Sequence, residues 1–224
     1  EMTALTLDSA AQYQELGVFT QSGGIEVART QERMQELTRR MASARSWGIE
    51  AELLDPAGVK ALVPYLDESI ILGGFYTPSV GVVDSLRAGT IMRERAIEMG
   101  ALTISAGTEV LGLDVVDGRI TRVRTDKGDI EATTVVVACG VWSPRIARMA
   151  GASIPLSPAV HQMISVGPVP QFADTVGEIV FPIVRDMDTN MYERQHGGDL
   201  EVGSYAHRPI LMEADDIPSI AASA

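Results

Sequence analysis

A chain of 224 residues that is 46% hydrophobic and 21% charged holds enough apolar material for one large or two small cored domains, and no biased tract argues for disorder. Its 30 acidic against 18 basic residues give a net charge of −12, and the scattered basic residues exclude the clustered phosphate neutralisation that nucleic-acid binding needs. No apolar run reaches the roughly 20 residues that cross a bilayer, and the single cysteine, Cys139, excludes an internal disulfide or a cysteine-based zinc site.

The N-terminus lacks the basic-then-apolar form of a signal peptide, which points to the cytoplasm, or to an organelle matrix if a targeting segment has been removed. Glu1 is not an initiator residue and Ala221–Ala224 is a string of small residues, so both ends read as cuts and 213–224 as a truncated tail.

Residues 3–16 read as a helix. Gly24-Ile25-Glu26-Val27-Ala28 alternates like a strand, and Thr30 then caps a helix in which Met34, Leu37, Met41 and Ala44 recur at helical spacing up to Trp47 and Gly48. Ala51–Leu54 is a short strand, and Asp55-Pro56 opens a short helix that Pro64 closes. Ile70–Pro78 is a strand interrupted by Gly73-Gly74, a pair that marks a close backbone or ligand approach or, more commonly, a bulge.

From Asp84 the pattern becomes α/β. Asp84 caps a helix whose Ala88, Ile91, Met92, Ala96 and Met99 form one apolar face, ending at Gly100. Leu102–Ile104, Glu109–Val116, Arg119–Thr125 and Asp129–Ala138 read as strands, with turns at Asp117-Gly118 and Lys127-Gly128. Val135–Ala138 is apolar at every position, the pattern of a strand covered on both faces. Helix returns over Trp142–Met149, where Arg145 and Arg148 read as a solvated face, and strands dominate from Pro155.

Thr134–Ser143 carries the strongest local signal. A buried strand that stops at a small-residue turn and runs into a helix brings bare backbone to a ligand at the strand's carboxyl end, and Gly140 leaves that approach open. Such a turn also occurs for purely structural reasons, so the surroundings decide.

The helix after Asp84, Gly107-Thr108-Glu109-Val110, the two hairpins and then Val-Val-Val-Ala-Cys-Gly-Val-Trp-Ser resemble, in that order, the middle of the flavin domain in the D-amino-acid-oxidase-like superfamily. Four further blocks, Gly23–Ala28, Ala44–Glu50, Ile71–Gly74 and Gly203-Ser204-Tyr205-Ala206-His207-Arg208-Pro209, are similar to the dimethylglycine oxidase and sarcosine dehydrogenase family. The resemblance implies FAD as cofactor, its adenine held by the backbone of the residue matching Val110 and the turn at Gly140 lying against it. It also implies that His161, in a Pro-x-x-His-Gln context on a strand, stands beside the flavin, and that Tyr192 faces both the flavin and the substrate amine. Without the resemblance, a lone histidine is more often a core residue satisfied by a carbonyl, and a strand tyrosine is more often half-buried packing. His196 falls on a turn beside Gly197-Gly198, and His207 has no argued role.

The reaction implied is oxidation of an N-methylated glycine, dimethylglycine or sarcosine, to an iminium, with hydride passing to the flavin. Only a neutral amine has the lone pair this needs, and the imidazole of His161 and the phenol of Tyr192 are groups that take or share its proton. Tetrahydrofolate would trap the product in a separate C-terminal domain. The partners implied are a small N-methyl amine and the rest of the chain's own polypeptide, with no metal, nucleic acid or membrane. The Gly-x-Gly-x-x-Gly turn that binds the FAD pyrophosphate, the histidine of the covalent flavin bond and the flavin-closing C-terminal segment do not occur in these residues, so the chain alone is expected to be inactive. Two other readings stay open: another flavin oxidase such as a glycine or D-amino-acid oxidase, and a non-catalytic ligand-binding module that keeps the fold.

The expected fold is mixed α/β. Residues 1–16 and 83–151 form part of a Rossmann-like FAD-binding lobe. Residues 17–82 and 152–212 form a substrate lobe on an antiparallel sheet.

Overall fold

Local capping chemistry sets the helix starts. In the computed structural model, which describes residues 2–219, Thr30 accepts from the Arg33 N–H at 3.2 Å, Asp55 from the Gly58 N–H at 2.7 Å and Asp84 from the Arg87 N–H at 2.9 Å. Each such cap is worth about 1 kcal/mol. In chain order the elements are α1 (Met2–Glu15), β1 (Phe19–Gln21), β2 (Gly24–Ala28), α2 (Gln31–Ser46), β3 (Glu52–Leu54), α3 (Pro56–Leu62), β4 (Gly73–Thr77), β5 (Gly81–Val83) and α4 (Ser85–Glu98). There follow β6 (Val110–Val116), β7 (Arg119–Thr125), β8 (Ile130–Glu131), α5 (Ser143–Met149), β9 (Ala159–Val160), β10 (Met163–Val166), β11 (Ile183–Asp186), β12 (Met191–His196), β13 (Asp199–Ser204) and β14 (Ile210–Leu211). Among the described residues no helix is long and apolar enough to cross a membrane. Of the tail read as truncated, 220–224 lies outside the described residues.

Two compact units result, one from the residues up to Leu102 with Gln162–His207, the other from Thr103–His161 with the residues from Arg208 on. In the first, a seven-stranded sheet runs in the order β10-β13-β12-β11-β2-β4-β3. Its pairs are antiparallel except β2–β11, where Gly24–Val27 run parallel to Ile183–Asp186. The antiparallel arrangement is the expected one; the single parallel pair has no turn signal in the sequence, because it is made across more than 150 residues of chain.

The core of this unit lies on the α3 side of the sheet. Ile25, Val27 and Val184 pack there with Val59 of α3, with Val63 just after it, and with Leu66 and Ile71, all buried. Each buried aliphatic side chain contributes about 1.5–3 kcal/mol. Tyr65, Phe172 and Phe181 extend the core as a ring cluster with centroids 5.2–5.9 Å apart. Gly74 is bare because a side chain there would press on Val59 and Ile25, at 2.9 and 3.0 Å, so close packing rather than a ligand accounts for that position. The apolar face read on α4 is not a core face: Ala88 is its buried residue, while Met92 and Met99 are exposed.

In the second unit β6 and β7 form the expected hairpin, with Asp117 and Gly118 at φ 50° and 75°, the two positive values a type I′ turn requires. β8 extends that sheet by two residues. Leu102–Ile104 and Val135–Ala138, both read as strands, are not; Val136 is 84% exposed. An all-apolar strand is stable only with neighbours hydrogen-bonded to it, and no described strand pairs with these segments. β9 and β14 make a separate two-residue pair. By contact, α1 and α4 group with the seven-stranded sheet.

Candidate functional site

Tyr192 sits in β12, opposite Gly203 of β13 and Arg185 of β11. Its ring lies across Gly203, where a Cβ would collide with the phenol, and against the ring of Tyr205 at 5.4 Å and 40°. Glycine gives up its own side-chain contacts in a strand and offers a flat platform instead. The Gly203–Pro209 block therefore has a local purpose: two of its residues hold Tyr192. Burial first, then the neighbouring charges of Tyr205 and Glu201, raises the Tyr192 pKa, so the hydroxyl stays a proton donor at neutral pH.

The hairpin before Tyr192 is tied to the start of α2. Asp186 meets the Arg29 Nε at 2.5 Å with one oxygen, and with the other accepts from the N–H groups of Asp188 (3.1 Å) and Thr189 (3.2 Å). Asp188 reaches back to accept from the N–H groups of Arg29 (2.7 Å) and Thr30 (3.3 Å) and from the Thr30 hydroxyl (3.1 Å), while Arg33 donates to the Met187 carbonyl at 3.2 Å. Burial alone would raise the Asp188 pKa; the donors from Arg29 and Thr30 outweigh it and hold the carboxyl below its usual range. Sequence reasoning missed this clamp because its halves lie more than 150 residues apart. The local signal present was Asp186-x-Asp188-Thr189-Asn190 between two strands, an Asx-type turn in which Asn190 takes φ 55°.

Successive strand residues alternate faces, so Glu193 points away from the Tyr192 ring, onto the α3 side with Val184 and Val27. Burial there, and then the Asp186 charge, raises its pKa against the opposing pull of Arg29.

His161 is not on a strand. It lies in the connection between β9 and β10, with an exposed side chain, because the two-residue β9 ends before it. It belongs to the second unit and Tyr192 to the first. His196 ends β12 and its Nδ1 lies 2.7 Å from Glu201, which also accepts from Arg194 at 2.7 Å. His207 is exposed. Arg145 and Arg148, read as a solvated face, both reach Asp215, at 3.5 and 2.5 Å.

Val110 opens β6, an edge strand of its sheet. The Asp126 N–H donates to the Glu109 carbonyl at 3.1 Å, which makes Val110–Thr125 a non-hydrogen-bonded pair. The N–H and C=O of Val110 therefore point away from β7, off the sheet edge. Gly140 takes φ 53° at the start of the helical turn that leads into α5, and a Cβ there would meet nothing within 4 Å. Among the described residues no group of three His, Cys, Asp or Glu side chains is arranged to hold a metal ion.

The sequence pattern of one family, FAD dependent oxidoreductase, matches residues 1–223. The chain belongs to the FAD dependent oxidoreductase family. Mitochondrial sarcosine dehydrogenase of Mus musculus is 32% identical to this family member over 207 residues, covering 89% of the chain and 22% of the relative. Mitochondrial dimethylglycine dehydrogenase of Rattus norvegicus is 28% identical over 187 residues, covering 84% of the chain and 22% of the relative. The crystal structure of L-proline dehydrogenase from P. horikoshii superposes with a TM-score of 0.79 at 27% identity, covering 94% of this chain and 56% of that one. The chain thus spans about a fifth of the length of these curated relatives. Its own residues fit the family's cofactor at two points: edge-directed backbone groups at Val110 suit the rim of a heteroaromatic ring, and the open turn at Gly140 lets a planar group approach bare backbone.

Proposed function

We propose that the complete protein oxidises the C–N bond of an N-methylated glycine, sarcosine or dimethylglycine, to an iminium. The observation that carries this reading is the similarity to sarcosine dehydrogenase along 89% of the chain. FAD, when bound, supplies the hydride acceptor. Residues 1–16 and 83–151 belong to the lobe that holds it, through the Val110 backbone at the adenine and the Gly140 turn; 17–82 and 152–212 form the substrate lobe. Tyr192, held flat on Gly203 by Tyr205, faces the substrate amine and keeps its proton to donate a hydrogen bond. His161 takes the proton that an ammonium substrate must lose before its lone pair can drive hydride release.

The iminium hydrolyses to formaldehyde and the demethylated amine, which supplies the test. The complete protein, given methyl-labelled sarcosine and dimethylglycine, releases labelled formaldehyde. Turnover of glycine or a D-amino acid with no labelled formaldehyde from either methylated substrate would transfer the protein to the amino-acid oxidases of the same family.

A further inference from the structure

The first unit contains a cavity of about 250 Å³ on the α3 side of the sheet, behind the strand that carries Tyr192. Arg29, Tyr65, Asp186 and Glu193 line it among apolar side chains such as Val27 and Val184. Its volume falls below the ~300–1,000 Å³ of sites for drug-sized molecules, so a ligand of a few heavy atoms fits.

Two charged groups there are incompletely used. Arg29 spends its Nε on Asp186, and its terminal nitrogens make no hydrogen bond to any described residue. Glu193, half-buried, makes neither a hydrogen bond nor an ion pair with any described residue, in contrast to Asp186 beside it, which is saturated by Arg29 and two backbone N–H groups. The Tyr65 hydroxyl is buried without a partner, and its pKa is raised first by burial and then by the charge of Glu193. Withdrawing the Tyr65 hydroxyl and the Glu193 carboxylate from water without partners is costly, and a ligand that supplies the partners recovers that cost; Arg29 is exposed and adds its open terminal nitrogens rather than a burial cost.

The ligand must carry both signs. A simple anion would meet Glu193 and Asp186, and a simple cation would meet Arg29. A small α-amino acid offers a carboxylate to the paired N–H groups of Arg29 and an ammonium to Glu193 at once. We propose that this cavity is a binding site for a small amino-acid zwitterion, on the face of the sheet opposite the Tyr192 ring, with its carboxylate on Arg29 and its ammonium on Glu193. It rests on the first unit alone and not on the oxidation proposed above.

Equilibrium titration of the isotope-labelled 224-residue chain, without flavin, tests it by NMR. Glycine and sarcosine produce saturable shifts at Val27, Val184 and Glu193. Acetate and methylammonium, each half of the ligand, bind at least about tenfold more weakly. Glu193→Gln keeps the shape, removes a poorly solvated charge and weakens glycine binding about 10–100-fold, the scale of a charged hydrogen bond. Arg29→Lys, which keeps the charge but not the fork, weakens it as well. The inference is overturned by an absence of saturable shifts, by acetate binding as tightly as glycine, by unchanged affinity in folded Glu193→Gln, or by shifts confined to residues outside the cavity, such as Gly203 and Tyr205.

Discussion

At the residue scale, single side chains are distinguished by what they do with protons. In the complete enzyme, His161→Ala lowers the rate of flavin reduction by the amine about 10²–10⁴-fold, the range of a positioned acid or base. Tyr192→Phe costs less, because the ring stays on Gly203 and only the hydroxyl goes. If His161 had a packing role alone, the variant would lose thermal stability while flavin reduction per folded molecule stayed the same. Glu193 makes a prediction of opposite character. Its folded pKa lies above the 4.5 ordinary for a glutamate, so the folded state holds the proton more tightly than the unfolded chain. Stability therefore falls as pH rises from about 4.5 through the raised value. Glu193→Gln should melt at or above the parent at pH 7, with the difference shrinking towards pH 4; a lower melting temperature at pH 7 would show that its charge is stabilised in the fold.

At the element scale, the clamp between α2 and the β11–β12 turn holds the strand that carries Tyr192. Asp188→Ala leaves two backbone N–H groups and the Thr30 hydroxyl without their acceptor, at a cost of about 2–3 kcal/mol. That corresponds to a fall in melting temperature of roughly 4–12 °C. Asp188's depressed pKa adds a pH signature: its contribution is present above the unfolded value near 3.8 and is lost as pH falls through the folded one. Gly203→Ala pushes the Tyr192 ring off its platform, and overpacking of this kind costs about 1–3 kcal/mol. An alanine variant that keeps both stability and flavin reduction would show that the platform has no role. The helices capped by Thr30, Asp55 and Asp84 and the Asp117-Gly118 hairpin were legible in the sequence, because the groups that make them lie within a few residues of one another. The clamp and the parallel β2–β11 pair were not, since their partners meet only after the chain has folded. Val135–Ala138 shows the intermediate case: its apolar pattern was plain, but a strand also needs neighbours, which periodicity does not report.

At the scale of the whole molecule, the family and the candidate site came from blocks of residues in a fixed order, and the structure explains one of them, Gly203 to Tyr205, as the support of Tyr192. The site's second half was less legible. His161 was read onto a strand and lies in a connection, in the other unit from Tyr192. The 224 residues contain no Gly-x-Gly-x-x-Gly turn, and backbone contacts at Val110 and Gly140 alone are a weak hold on a dinucleotide. The purified chain should accordingly be colourless, and a yellow preparation with stoichiometric flavin absorbance would show that these contacts suffice.

The proposed activity is a hydride transfer from an N-methylated glycine to the flavin of the complete protein. Anaerobic rapid mixing of the complete flavoprotein with sarcosine or dimethylglycine, followed through the visible flavin absorbance, measures that transfer before any later step. Bleaching is expected in a single turnover with at least one of the two, slowed about 10²–10⁴-fold by His161→Ala. An oxidised spectrum that persists with both substrates, while glycine, L-proline or a D-amino acid bleaches it, would contradict this activity.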